Sequence, residues 1–350
     1  MTQPEPSPGN EPTWSRGRST IEDVAAAAGV SVATVSRALR GLPNVASATR
    51  ERVSAIAEQM SYRADPAASR LATGRSRSIA VAVPLLNGWY FSQVVAGAEA
   101  ICATTGYDMI VVGVSTGAAR RSIVDEAASI HRRVDGVIFV DIHLPIDDVD
   151  GLADKGLRVV TIGESTHRFP SVGIDDVAVG DLATTHLISL GHRRIGLIDE
   201  KATDAHGFVV PSLRHAGYER ALARAGIVSD PAMQAPGSFS LLGGRAAMHA
   251  LLELPEPPTA VFAMSDEMAF GALLSLRDAG LTAPGDLSIV GVDDHDLSVV
   301  VGLTTVRQSV SDHGSRAARL LIDQLEGVDV PIARHDGTIE LIQRETCSKP

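Results

Sequence analysis

Residues 20–40, TIEDVAAAAGVSVATVSRALR, permit few folds. Thr20 is a good N-cap with Asp23 three places on, close to a capping box, and Ile21, Val24, Ala25 and Ala28 follow at i, i+3, i+4 and i+7. That spacing predicts one short helix with a single apolar stripe. Gly29 can take the left-handed conformation that stops it. Ser31 then re-caps a second helix whose inward face is Val35, Ala38 and Leu39. Two short helices joined through Gly29-Val30-Ser31 make a helix-turn-helix.

The outward face of the second helix carries Val32, Ala33, Thr34, Ser36 and Arg37. Small apolar, hydroxyl and guanidinium groups suit thymine methyls, phosphates and guanine edges, whereas a merely solvated face would carry Glu and Lys. A small helical bundle with no nucleic-acid role is the bland alternative, and the spacing of cap, glycine turn and second cap argues against it. After a loop at Pro43-Asn44, Ser47 is expected to cap a third helix with Val53, Ile56, Ala57 and Met60 on one face. Two helices alone bury too little surface, so the third closes the core. Arg50 and Arg52 could reach phosphates or simply be solvated.

A net charge of -11 over 350 residues opposes DNA binding until its distribution is considered. Between residues 15 and 80 lie ten arginines and five carboxylates, a net +5 set against -16 in the remainder. Phosphate attraction therefore has a local source, a basic head on an acidic body. The length implies two or three folding units. Residues 1–16, rich in proline, read as a disordered tail. Cys102 and Cys347 offer no disulfide framework, no apolar run reaches membrane-spanning length, and the start lacks a signal-peptide pattern, so a cytoplasmic protein with no membrane partner is expected.

From Ile79 the pattern changes to short β-branched runs at 79–83, 109–114, 136–140, 158–162, 195–198, 260–263 and 288–292, with a last strand near 339–342. Helical periodicity lies between them, at 94–104, 180–190, 218–225 and 268–279. Continuous apolar strands alternating with helices predict α/β architecture with parallel sheets covered on both faces. One wide sheet or two sub-domains would each satisfy it. A dinucleotide-binding enzyme would need a glycine fingerprint or a Gly-Lys-Ser/Thr phosphate loop. The first strand is followed instead by Pro84-Leu85-Leu86-Asn87-Gly88-Trp89, neither motif occurs elsewhere, and nucleophile-elbow and metal-ligand spacings are missing. No enzyme activity, cofactor or metal is expected.

The string IEDVAAAAGVSVATVSRALRG, followed by Asn44, Thr49-Arg50-Glu51-Arg52-Val53 and Tyr62, resembles the headpiece of the lac repressor and galactose-regulator (LacI/GalR) family of transcription factors, and the resemblance runs to about residue 345. It implies a headpiece over 17–64, a hinge helix over 65–77 and a periplasmic-binding-protein-like core over 78–345. The core would comprise two Rossmann-like sub-domains crossed by three strands, one of about 78–177 and 308–330, the other of about 178–305 plus the C-terminal strand. It implies a homodimer on a pseudo-palindromic operator. To the DNA-facing set of Thr20, Ser31, Val32, Ala33, Thr34, Ser36 and Arg37 it adds Asn44 and Tyr62, with Leu71 wedged into the minor groove beside Ala68. Family tetramers carry a leucine-heptad tail, which this chain lacks before Pro350.

Small molecules bind open α/β sheets beyond the carboxyl ends of the strands. Those ends supply Asn87, Trp89, Tyr90, Asp141, Glu164, Ser265, Asp266 and Asp293. Trp89 in a loop would suit stacking on a sugar ring, with Phe91 pinning that loop to the next helix. The resemblance adds Arg214 and Phe239 as cleft residues and pairs Arg214 with Asp293. A guanidinium facing carboxylates reads a polyol from both sides, so a carbohydrate effector is expected. Asp266, Asp175 or Asp176 could instead be helix caps. Effector binding would rotate the first sub-domain and spread the hinge helices, coupling the two sites by about 1–3 kcal/mol.

Overall fold

The computed structural model describes residues 19–39, 41, 43–62, 75–114, 133–200 and 209–350. Ala68 and Leu71, with most of the expected hinge, lie outside the described residues. Two compact units divide the chain, residues 1–75 and 76–350.

In the first unit, α1 (Ile21–Ala28), α2 (Val32–Leu39) and α3 (Ser47–Gln59) close around Val24, Ala25, Ala28, Val35, Ala38, Val53 and Ala57. The capping box is complete: the Asp23 amide donates to Thr20 Oγ1 at 3.2 Å, and the Thr20 amide donates to Asp23 Oδ2 at 2.9 Å. Gly29 ends α1 at φ 63°. The Thr34 amide donates to Ser31 Oγ at 3.2 Å, which starts α2. Ser47 does not cap α3. Ala46 holds that position without a side-chain bond, and the Ser47 hydroxyl donates instead to Glu51 one turn on. Thr20→Ala should loosen α1 by about 1 kcal/mol, read as faster amide exchange at Val24 and Ala25 than at Val53.

The second unit holds two sheets. The first has the order β11-β5-β4-β3-β1-β2, with all its pairs parallel, and comprises β1 (Ser78–Val83), β2 (Asp108–Gly113), β3 (Gly136–Val140), β4 (Arg158–Ile162), β5 (Ser171–Gly173) and β11 (Arg334–Asp336). The second repeats the plan as β12-β10-β9-β8-β6-β7. Its strands are β6 (Ile195–Asp199), β7 (Gln234–Pro236), β8 (Ala260–Ala263), β9 (Ser288–Asp293), β10 (Thr304–Gln308) and β12 (Ile339–Ile342), with only β12 antiparallel. Both are doubly wound α/β sheets whose central strands β1, β3, β8 and β9 are buried on both faces, which explains their unbroken runs of Val, Ile and Ala.

Chain order reverses between β1 and β3 in one lobe and between β6 and β8 in the other, which opens a crevice at each carboxyl edge. Three connections join the lobes: β5 leads into α6 (Asp176–Ser189), β10 into α10 (Val310–Leu325), and β11 into β12. The first lobe therefore takes its last strand from residues 334–336, past the expected limit at 330.

In the first lobe α5 (Ile146–Asp154) buries Val149 and Leu152 in the core, and the remaining helices pair closely within each lobe. A side-chain carbon at Gly97 of α4 (Trp89–Thr105) would collide with the Ser311 carbonyl of α10, and one at Gly314 of α10 with the Val94 carbonyl of α4. The same reciprocal arrangement joins α6 to α7 (Val210–Arg224) through Gly180 and Gly217. It also joins α8 (Leu241–Leu252) to α9 (Asp266–Asp278) through Gly244 and Gly271. At the entry to this unit, the amides of Ser76 and Arg77 each donate to the Asp135 carboxylate at 2.7 Å, fixing the chain just before β1.

Candidate functional site

On α2 the buried side is Val35 and Ala38, which turns Val32, Ala33 and Arg37 outward and exposed, with Thr34 and Ser36 partly covered. Arg37 lies along its own helix, its Nε donating to the Ala33 carbonyl at 3.2 Å. The hydroxyls of Thr20, Ser31 and Thr34 are engaged in the caps, where they hold the helix N-termini in place. Asn44 is exposed at φ 67°, while Tyr62 packs partly against the three-helix core.

In the second unit the two crevices face one another across a cleft of about 780 Å³, counting the solvent at its mouth. The first lobe contributes Leu85, Gly88, Tyr90, Phe91, Asp141 and His313; the second contributes Asp176, Val210, Arg214, Phe239, Ser265, Glu267, Asp293 and Gln308. Arg214, on α7, is 5% exposed; its Nε donates to Asp176 at 2.9 Å, and its terminal nitrogen Nη1 donates to the Met264 carbonyl at the end of β8. Burial opposes the Arg214 charge, but Asp176 and Asp293 more than compensate and raise its pKa.

The other lining acids are strained electrostatically. Burial, then the neighbouring Asp176, push Asp141 up to about 7 against a hydrogen bond from the Tyr90 hydroxyl. Burial pushes Asp293 up to about 7 against the opposing pull of Arg214 and of Gln308, whose amide donates to Oδ1 at 2.6 Å. Burial thus favours the protonated form of both carboxyls, in which a carboxyl donates as well as accepts. Asp141 and Asp293 hold positive φ angles of 47° and 118°, and Gly163 leaves room for the Asp141 carboxylate, which a side chain there would strike. Such backbone strain at strand ends is typical of binding sites.

Six of the expected effector residues therefore share the cleft wall: Tyr90, Asp141, Arg214, Phe239, Ser265 and Asp293. Four do not. Asn87 is exposed outside it. Trp89 is the first residue of α4 rather than part of a loop, and it clasps the opposite lobe at the rim. Its ring stacks on His295 at 4.5 Å, its Nε1 donates to Asp296 at 3.3 Å, and its backbone N–H donates to Glu267. Glu164 pairs with His143 at 2.9 Å in an adjoining recess. Asp266 is fully buried, accepting from the His295 amide and from the Ser298 and Thr305 hydroxyls, while Ser265 is the cap of α9.

Phe91, expected only to pin its loop, also lines the cleft. Asp176, Gln308 and His313 line the cleft too, beyond the effector residues expected from the sequence. In the pair Asp175-Asp176 the first caps α6 through the Ala178 amide, which frees the second for Arg214. His313 could have been found, since it interrupts the apolar stripe of α10 formed by Val310, Ala317 and Leu321.

The model for bacterial regulatory proteins of the lacI family matches residues 20–65, and a periplasmic binding protein-like domain matches residues 184–347. The HTH-type transcriptional repressor CytR of Escherichia coli (strain K12) is 36% identical over 333 residues, covering 93% of this chain and 95% of that repressor. The chain belongs to the LacI family. As a LacI-family member it is a DNA-binding transcriptional regulator and not an enzyme. The solved lac repressor dimer bound to operator and the anti-inducer ONPF has a TM-score of 0.81 at 28% identity, covering 94% of this chain and 99% of that one. The regulator CelR in complex with cellobiose has a TM-score of 0.69 at 30% identity, covering 94% and 100%. Among the described residues, no helix is long and apolar enough to cross a membrane.

Proposed function

We propose that this LacI-family regulator is a cytoplasmic repressor that grips a two-fold-related operator as a homodimer and changes its DNA affinity when a carbohydrate closes the cleft. The observation that carries the effector half is Arg214, a buried guanidinium set between Asp176 and Asp293 with Tyr90, Phe91 and Phe239 around it. Alternating acids and aromatics with one fixed cation suit hydroxyls on a ring that also presents an apolar face. The solved relatives support the reading, one holding cellobiose and one bound as a dimer to operator. For the DNA half, Val32, Ala33 and Arg37 are proposed as the base-reading side chains, with Asn44 beside them.

Dimerisation is supported by an apolar run on the second lobe. Leu297, Val299, Val300 and Val301 are all exposed, Val300 by 76%. Consecutive exposed aliphatics of this kind mark a surface that another protein covers, and a second copy of the chain is the simplest occupant. Selection of duplexes from a random pool by the full chain should enrich an inverted repeat with half-sites about one helical turn apart. Val300→Asp should sediment as a monomer and bind the selected duplex about 100-fold more weakly, because two half-sites no longer act together. Enrichment of a single asymmetric site, or a dimeric variant with undiminished binding, would refute this arrangement.

A further inference from the structure

His313 sits one turn into α10, on the first-lobe wall of the cleft, and is 1% exposed. A buried imidazole ordinarily finds partners for its nitrogens, because leaving them unpaired forfeits their hydration. His192 does so in this protein. Its Nδ1 meets Thr259 at 2.9 Å, and its Nε2 meets Ser288 at 3.1 Å and the Ser348 carbonyl at 2.9 Å. Among the described residues, His313 is the only buried side chain that leaves both ring nitrogens without a partner. The glycine at 337 lets the chain pack close to one edge of the ring, since a side-chain carbon there would lie only 3.2 Å from Nε2.

The charges facing this ring come from several elements: Asp312 and Arg316 on α10, and Arg334 and Asp336 on β11. Asp312 and Asp336 oppose Arg316 and Arg334, and burial is the largest cause, holding the imidazole neutral with its pKa lowered to about 4. A neutral imidazole offers one donor and one acceptor, the complement of a hydroxyl. The wall around it argues against an anionic ligand. Asp141, Asp176, Glu267 and Asp293 line the cleft, and Arg214, already paired with Asp176, is the only cation among the described lining residues.

We infer that His313 is a specificity-determining residue through which the cleft reads a hydroxyl of an uncharged polyhydroxy effector. The inference rests on the proposed effector site and adds to it the polarity and charge of the ligand. It accounts for the presence of a histidine where an aliphatic side chain of similar size would bury without penalty.

The test uses the full chain and titration calorimetry with D-ribose, D-xylose, D-glucose, D-galactose and cellobiose, alongside glucose 6-phosphate and D-glucuronate. At least one neutral sugar should bind, and the charged compounds should not. His313→Leu should weaken that sugar roughly 3- to 10-fold, with partial recovery in His313→Gln. Without ligand, His313→Leu should melt at or above the wild-type temperature, because no native hydrogen bond is lost. A melting temperature several degrees lower would make His313 structural and overturn the inference. Unchanged sugar affinity in His313→Leu, together with lost affinity in an Arg214→Met/Asp176→Leu double variant, would overturn the role of His313 and leave the cleft standing. Sugar binding that survives the double variant, or a panel in which only the charged compounds or none bind, would overturn the cleft reading and this inference with it.

Discussion

Arg37→Ala should reduce operator affinity by roughly 30-fold to 3×10⁴-fold while leaving effector affinity unchanged. A bidentate guanidinium contact to a guanine edge contributes about 1–3 kcal/mol of discrimination, and a dimer makes it twice. The side chain is exposed, its hydrogen bond among the described residues is to the Ala33 carbonyl of its own helix, and it lies in a different compact unit from the cleft. Fluorescence anisotropy against operator and scrambled duplex would measure the effect. If both duplexes lose affinity by the same factor, Arg37 contacts phosphate and the base-reading assignment fails.

Arg214→Ala should abolish the effector response and destabilise the second unit together. Removing one member of a buried ion pair typically costs about 3–5 kcal/mol, because the remaining charge has neither water nor partner. Here Asp176, 5% exposed, would be stranded beside Asp141 and Asp293, whose carboxyls already resist ionisation. The two effects separate in the double variant Arg214→Met/Asp176→Leu. Replacing a buried pair by apolar groups of similar volume is often neutral for stability, so the melting temperature should recover. The response should not. Operator release by sugar in a refolded double variant would remove Arg214 from the effector site.

The headpiece is legible in the sequence because its instructions are local. Thr20, Asp23, Gly29 and Ser31 each act within four residues of their partners, and the structure uses each at that range. Misreading begins where signals are weak or distant. Ser47 resembles a cap, yet its hydroxyl turns to Glu51. Strands β5, β7 and β11 are three residues long, too short to show alternation, and β10 reads Thr-Thr-Val-Arg-Gln because its neighbours satisfy its threonines. Trp89 reads as a loop residue because Gly88 provides no side-chain cap to announce α4.

The cleft divides along the same line. Polar residues at strand ends, Asp141 just after β3 and Asp293 as the last residue of β9, could be found from the strands themselves. Gln308 and His313 flank the second crossing between lobes, so their membership depends on a topology that only the folded chain reveals. Asp266 shows the converse: an acid at the right strand end is consumed by three internal donors, and burial pushes it up to about 8.

The glycine seams between helices bear on how a message could travel. Where Gly97 faces Ser311 and Gly314 faces Val94, backbone rests on backbone, leaving no side-chain rotamers to yield under load. Each lobe should therefore answer a push at its floor by moving as a block, and the three crossings between lobes are the places left to bend. Energy gained at Arg214 would then reach Ser76 and Arg77, clamped by Asp135, as displacement instead of being spent as internal slack.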